Sequence, residues 1–421
     1  MTITFKDLTL REGSQVPGLE ITDDVGKRVL EGLARVDVGR VEVSFPRAAP
    51  REELYRHAES LGLRTAALAR AVPADVDAAL DVEPDEIEVI VNSSDVQLEH
   101  ALGKTREESL DLLRENVERA VEGGVAAGAT LMDAVRADND HLRAEARVVR
   151  DAGGRHVTLA DTTGAGDPEA VRETVAAVTD EVGGELAVTI HTHDDMGVAT
   201  ANAVAGVEAG ADSVDATVGG VGERAGNAPL EEVAVLGSEH GDDVALELTE
   251  LVPACREILD ALDVDYEGKP VLGREGYRHE SGLHTAAMLR EPSTYEPFDP
   301  ERYGAQRELL FGRGTGRGGV RALLDAAGLE ATDEQVAIGR EALRDAAAER
   351  ESRCPARPQR RSWRKPSNPD SAVDCLRASS ANPYSLPNAP RFRSAAMASS
   401  SSPAVRRISS VCSPSSGGSS L

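Results

Sequence analysis

The feature that most constrains this chain is a rhythm. Between residues 4 and 218, eight short β-rich runs alternate with amphipathic stretches, at 4–10, 40–45, 64–69, 86–92, 129–134, 156–162, 187–193 and 213–218. A polar or glycine-containing turn and a helical pattern follow each run. In 106–127, for example, Leu110, Leu113, Val117 and Val121 recur at helical spacing. Eight strands alternating with helices over this length predict an α/β fold of the (β/α)8 barrel type. A doubly wound open sheet is the rival, but no Gly-x-Gly-x-x-Gly follows the first run. The rhythm stops near residue 236. The reading is a barrel over 1–236, a smaller, mostly helical lid over 237–350, and a tail over 351–421.

The tail differs in kind. It holds 19 serines, 11 basic and 3 acidic residues, the only tryptophan (Trp363) and three of the four cysteines (Cys354, Cys375, Cys412). Such composition predicts disorder, or translation out of frame. Subtracting it from 46 basic and 73 acidic residues leaves 35 and 70 in residues 1–350, a net charge of −35. A body this acidic repels nucleic acid and anionic membranes. With five lysines in the whole chain, it suits a protein kept soluble in high salt. Cys255 alone cannot build a disulfide framework or a cysteine zinc site in the body. No apolar run reaches the roughly 18 residues of a membrane span, and the N-terminus MTITFKDLTL lacks a signal-peptide layout. A cytoplasmic enzyme is expected.

Chemistry concentrates at two run ends. His191 and His193 stand at i and i+2 at the end of the seventh run. On a strand they share a face, and the C-terminal strand ends of a barrel form its active-site floor. They read either as a metal pair or as two unrelated polar residues. At the end of the first run, Asp7, Arg11 and Glu12 bring carboxylates and a guanidinium to the same barrel end. They read either as an ion pair or as a third metal ligand beside a cation that can hold a developing oxyanion.

These segments carry a resemblance. DLTLREGSQVPG (7–18) resembles the Asp-x-Thr-Leu-Arg-Asp/Glu-Gly-x-Gln motif of the DRE-TIM metallolyases. HTHDDMGVATANAVAGVEAGADSVDATVGGVGERAGNAPLEEV (191–233) and RHESGLHTAAML (278–289) are similar to segments of their 2-isopropylmalate, homocitrate and citramalate synthase branch. The resemblance implies a Claisen-type condensation of acetyl-CoA with a 2-oxo acid, followed by thioester hydrolysis; the alternatives are a metal-dependent lyase or aldolase on the same barrel, or a catalytically impaired paralogue. It implies a divalent metal (Mg2+, Mn2+ or Zn2+) on Glu12, His191 and His193. Arg11 would stabilise the alkoxide, and Thr162, with Gln15 and Glu42, would line the substrate site. Gly220, Gly222, Glu223 and Asn227 would face the acyl-CoA. His284 and Tyr295 would act in acid–base chemistry, reaching the barrel of a partner in a homodimer.

The chain also departs from this family. Met132 stands where the family has an acid–base glutamate, next to Asp133. Gly128 stands where homocitrate synthases of the lysine pathway carry an arginine for the distal carboxylate of 2-oxoglutarate. Gln97 replaces a frequent histidine, and 312–316 reads Gly-Arg-Gly-Thr-Gly.

Overall fold

The computed structural model describes residues 2–353 except 281 and 313. The tail from residue 354 onward lies outside the described residues, as do Ser281 of the RHESGLH run and Arg313 of the glycine-rich segment. Contacts divide the chain into one unit ending at Gly276 and another beginning at Tyr277.

The first unit is a closed parallel barrel. Its strands are β1 (Thr2–Asp7), β2 (Arg40–Ser44), β3 (Arg64–Arg70), β4 (Glu86–Asn92), β5 (Ala126–Met132), β6 (His156–Asp161), β7 (Ala187–Thr192) and β8 (Ser213–Ala216). Each pairs in parallel with the next, and β1 closes the ring by pairing with both β8 and β2. A short ninth strand, β9 (Asp243–Val244), adds to β1 at Thr2 and Ile3.

The strands alternate because they have two different neighbours. Val41, Val43, Ile87, Val89, Val157, Leu159, Val188, Ile190 and Val214 are fully buried under the surrounding helices. Their β-branched bulk fits that pleated surface. The opposite face lines the barrel interior and is polar: Lys6, Glu42, Glu88, Thr158, His191 and Asp215 are all at most 5% exposed. A barrel interior is ordinarily filled by branched apolar residues. The charged filling of this one is therefore held by pairing rather than by packing alone.

Two strand limits differ from the sequence reading by three residues, the others by two or fewer. β1 stops at Asp7 instead of continuing to residue 10. The Asp7 carboxylate accepts hydrogen bonds from the Thr9 N–H (2.9 Å) and hydroxyl (2.8 Å), turning the chain into the short helix Thr9–Gly13. This turn brings Arg11 and Glu12 over the barrel mouth. β5 begins at Ala126, earlier than its glycine suggests. A Cβ on Gly128 would lie 2.2 Å from His156 Nε2, so the imidazole fills the space that a side chain would need.

The second unit has its own core of Met288, Leu309, Phe311, Val320, Leu323, Leu324, Val336 and Leu343. Apart from Phe311, which lies just past the second strand, these come from the helices Gly282–Met288, Arg317–Ala326 and Asp333–Arg353 and from a two-stranded parallel sheet, Arg278–His279 with Glu308–Leu309. Among the described residues no helix is long and apolar enough to cross a membrane.

Candidate active site

The barrel mouth brings the two chemical segments together. Glu12 from the short helix after β1 meets His191 of β7 and His193 just past its end, with one donor atom of each within 4.8 Å of the others. All three are at most 5% exposed. His191 Nε2 lies 3.2 Å from His193 Nε2 and 3.8 Å from Glu12 Oε1. On the other side of the ring, His191 Nδ1 faces Asp215 Oδ2 at 3.5 Å. A proton on Nδ1 leaves the Nε2 lone pair aimed into the cluster, the usual way a carboxylate orients a metal-binding imidazole. Burial, with His191, Arg224 and Arg11 nearby, pushes the His193 imidazolium down to about 2, so this ring is neutral at physiological pH. Two imidazoles and a carboxylate, all buried and converging, have the chemistry of a divalent-metal site.

A second group, Glu86, Glu88 and His156, also offers three donors within the same limit. It differs because a cation is already present. Lys6 Nζ donates to Glu88, and His156 Nε2 stands 2.7 Å from the same oxygen. Arg40 and Arg64 reach Glu86 at 3.9 and 3.8 Å. The charge of these carboxylates is answered by the protein's own side chains.

Arg11 lies beside the upper group with its side chain 13% exposed. Its Nε donates to Glu42 Oε1 and its Nη1 to Glu12 Oε1. Burial opposes the guanidinium charge, but Glu12 and Glu42 outweigh it and raise the pKa. Burial raises the Glu42 carboxyl, opposed by Arg11 and Lys6. Gln15 Nε2 donates to Glu12 Oε2 at 3.3 Å. A cavity of about 300 Å³ opens beside Arg11 and Gln15, lined also by Ser44, Ile21, Phe45 and Leu68.

At the neighbouring strand ends, Thr162 Oγ1 accepts the Asp133 N–H at 2.8 Å. Asp133 is fully buried with a left-handed backbone (φ 61°). Its carboxylate is held by Arg136 at 2.8 and 2.7 Å and by the Ser94 hydroxyl at 2.5 Å. It is thus occupied rather than aimed at the mouth. Met132 ends β5 on the same strand face as Gly128 and Thr130.

The loop after β8 folds back on itself. A Cβ on Gly222 would lie 1.8 Å from Asn227 Oδ1, and one on Gly226 2.0 Å from the Gly220 carbonyl. These glycines let the loop bury Asn227, whose Nδ2 is 3.3 Å from His191 Nε2. Asn227 Oδ1 is buried without a hydrogen-bond partner. Exchanging the two amide positions would turn the oxygen toward the cluster. Asn227 also borders a cavity of about 540 Å³, shared with Gly220, Asp194, Thr200, Glu232 and Lys269. Glu223 is partly exposed and pairs with Arg224. The sequence reading did not single out Arg224. With φ 55°, it grips Asp195 at 2.9 and 3.1 Å and the Thr162 carbonyl at 2.7 Å, tying three loops of the mouth together. In the second unit, His284 and Tyr295 stack with ring centroids 3.8 Å apart.

Comparison with known proteins bears on the family and the fold. Residues 2–258 match the HMGL-like family model, and 271–351 match the homocitrate synthase post-HMGL domain-like model. Three relatives come from Methanopyrus kandleri. Its homocitrate synthase AksA is 37% identical, over 78% of this chain and 84% of its own length. A probable 2-isopropylmalate synthase is 36% identical, over 78% and 67%. A putative (R)-citramalate synthase is 36% identical, over 78% and 66%. In fold, the chain is similar to an HMG-CoA lyase from Acenitobacter baumannii, with a TM-score of 0.56 and 22% identity over 64% of this chain and 93% of that one. With a family model spanning the whole barrel and relatives matched over most of its length, the chain belongs to the HMGL-like family and is related to its homocitrate, 2-isopropylmalate and citramalate synthases.

Proposed function

We propose that this chain condenses the acetyl group of acetyl-CoA with a 2-oxo acid and then hydrolyses the thioester. The observation that carries this reading is the convergence of Glu12, His191 and His193 beside Arg11, in a chain whose relatives are named as synthases of this kind. Glu12, His191 and His193, with Asn227 as a further donor, would hold a divalent ion (Mg2+, Mn2+ or Zn2+), which supplies Lewis-acid polarisation of the oxo acid's carbonyl.

The chain's own groups account for the remaining chemistry. As the new C–C bond forms, negative charge develops on the ketone oxygen. Arg11 meets that charge with a guanidinium already oriented by Glu42 and Glu12, so little reorganisation is required. The Thr162 oxygen already accepts the Asp133 N–H. Its hydroxyl proton is left to donate to the substrate carboxylate, with Gln15 nearby. The acetyl-CoA arm is assigned to the 540 Å³ cavity bordered by Gly220 and Asn227, with Gly222 and Glu223 in the same loop.

The proton leaving the acetyl methyl needs a base. The Met132 thioether cannot take it, and the Asp133 oxygens are engaged. We assign this work to His284, supported by Tyr295, from the second unit of a partner chain in a homodimer. Water then cleaves the thioester, giving a carboxylate and free CoA thiol.

The relatives carry three product names at near-equal identity, so the oxo acid is chosen on local grounds. The His156 ring fills the space beside Gly128, leaving no room for an arginine that would receive a second carboxylate. This favours 2-oxoisovalerate or pyruvate over 2-oxoglutarate. The test is thiol release from acetyl-CoA with each of the three acids and each metal. Release with 2-oxoisovalerate or pyruvate is expected. Silence with all three, from folded and metal-loaded protein, would overturn the proposal.

A further inference from the structure

The carboxylates that stand behind Arg11 and His191 share a partner. Lys6 on β1 is 1% exposed and is one of five lysines in the chain. Its Nζ lies 3.7 Å from Glu42 Oε2 and 3.5 Å from Asp215 Oδ1, and it donates to Glu88. Each of the first two carboxylates divides its oxygens. Glu42 gives Oε1 to Arg11 and Oε2 to Lys6. Asp215 faces His191 Nδ1 with Oδ2 and Lys6 with Oδ1, each at 3.5 Å, and Oδ1 has no hydrogen-bond partner, so its contact with Lys6 is purely ionic. On the far side, Glu88 also takes His156 at 2.7 Å and the Thr130 hydroxyl at 3.2 Å. Burying an ammonium group is costly, and an apolar side chain would fill a barrel position without that cost. A single cation that reaches both orienting carboxylates does what an apolar residue cannot.

We propose that Lys6 is a positioning residue of this site: it fixes one oxygen of Glu42 and one of Asp215, so that their other oxygens hold Arg11 and His191 in register. The inference rests on the reading of Glu12, His191 and His193 as the seat of a divalent ion, and deepens it. The rival explanation is charge balance alone, in which Lys6 only neutralises buried carboxylates.

The two explanations separate in a double variant. Mn2+ affinity is measured by calorimetry on the full chain, with thermal unfolding in parallel, for wild type, Lys6→Met, Glu88→Gln and the pair combined. Lys6→Met is expected to weaken Mn2+ binding roughly tenfold, the lower end for groups behind metal ligands, and to lower the melting temperature. The double variant removes a buried negative charge together with the lysine. It is expected to recover the melting temperature while keeping the Mn2+ defect, and it carries the test if Lys6→Met alone does not fold. Glu88→Gln is expected to keep wild-type affinity. Recovery of Mn2+ affinity in the double variant would overturn the proposal. So would a Glu88→Gln defect as large as that of Lys6→Met, because Glu88→Gln leaves the contacts of Lys6 to Glu42 and Asp215 in place. A wild type that takes up no Mn2+ would sink the metal reading itself, and this inference with it.

Discussion

The barrel holds two groups built from the same chemical parts, and they face opposite fates. Glu12, His191 and His193 at the mouth converge, with the two imidazole Nε2 atoms facing each other at 3.2 Å. Glu86, Glu88 and His156, deeper in the barrel, aim theirs at Lys6, Arg40 and Arg64. The difference teaches that a carboxylate–imidazole cluster becomes a metal site through what is missing from it. Where the protein's own cations meet every carboxylate, the cluster is structural. Where a guanidinium reaches only the carboxylate, as Arg11 reaches Glu12, the facing imidazole nitrogens are left for an ion from outside.

That contrast can be broken most severely at the upper group. His191→Ala or Glu12→Ala is expected to lower thiol release by roughly a hundredfold or more, since metal catalysis supplies several kcal/mol. Glu86→Gln should leave release near wild type. Next in size is Arg11→Met, with an expected fall in kcat of roughly 10²–10³, the range for a single oxyanion donor. Mn2+ affinity, measured by calorimetry, should change far less.

The lower group should answer in stability instead. Gly128→Ala places a methyl carbon 2.2 Å from His156 Nε2. It is expected to cost about 1–3 kcal/mol by overpacking, read from urea unfolding. The smallest expected effect is in pH dependence. Burial lowers the His156 pKa, but Glu88 outweighs it and the net shift is upward. A raised histidine adds stability that is fully present below its unfolded value, about 6.5, and is lost as pH rises through its folded value. The stability gap between wild type and His156→Gln, measured by urea titration, should therefore be widest in mild acid and narrow toward alkaline pH. A gap that does not change with pH would remove the charged pair from the account.

Much of this arrangement was legible in the chain. The eight strands were readable because their outward faces must be apolar under helices, which leaves Val, Ile and Leu at regular spacing. That a carboxylate of the first strand end could approach His191 and His193 was readable from two strand-end positions, while its assignment to Glu12 came from the resemblance of DLTLREGSQVPG to a family motif. The end of β1 was not, because it depends on the Asp7 side chain closing a turn onto Thr9. Nor was the early start of β5, since a glycine reads as a break until the ring beside it is known. Lys6 also escaped the sequence reading. Its partners Glu42, Glu88 and Asp215 lie on three other strands, and no local spacing links them. The orphaned oxygen of Asn227 and the loop-tying Arg224 likewise come from long-range packing.

A Mn2+ titration of the intact chain, repeated on His193→Ala and on Glu86→Gln, bears most directly on the claim that the two groups differ. The account predicts tight uptake of a single ion, abolished by the first change and untouched by the second. Uptake that survives His193→Ala but disappears with Glu86→Gln would place the ion at the wrong end of the barrel and contradict it.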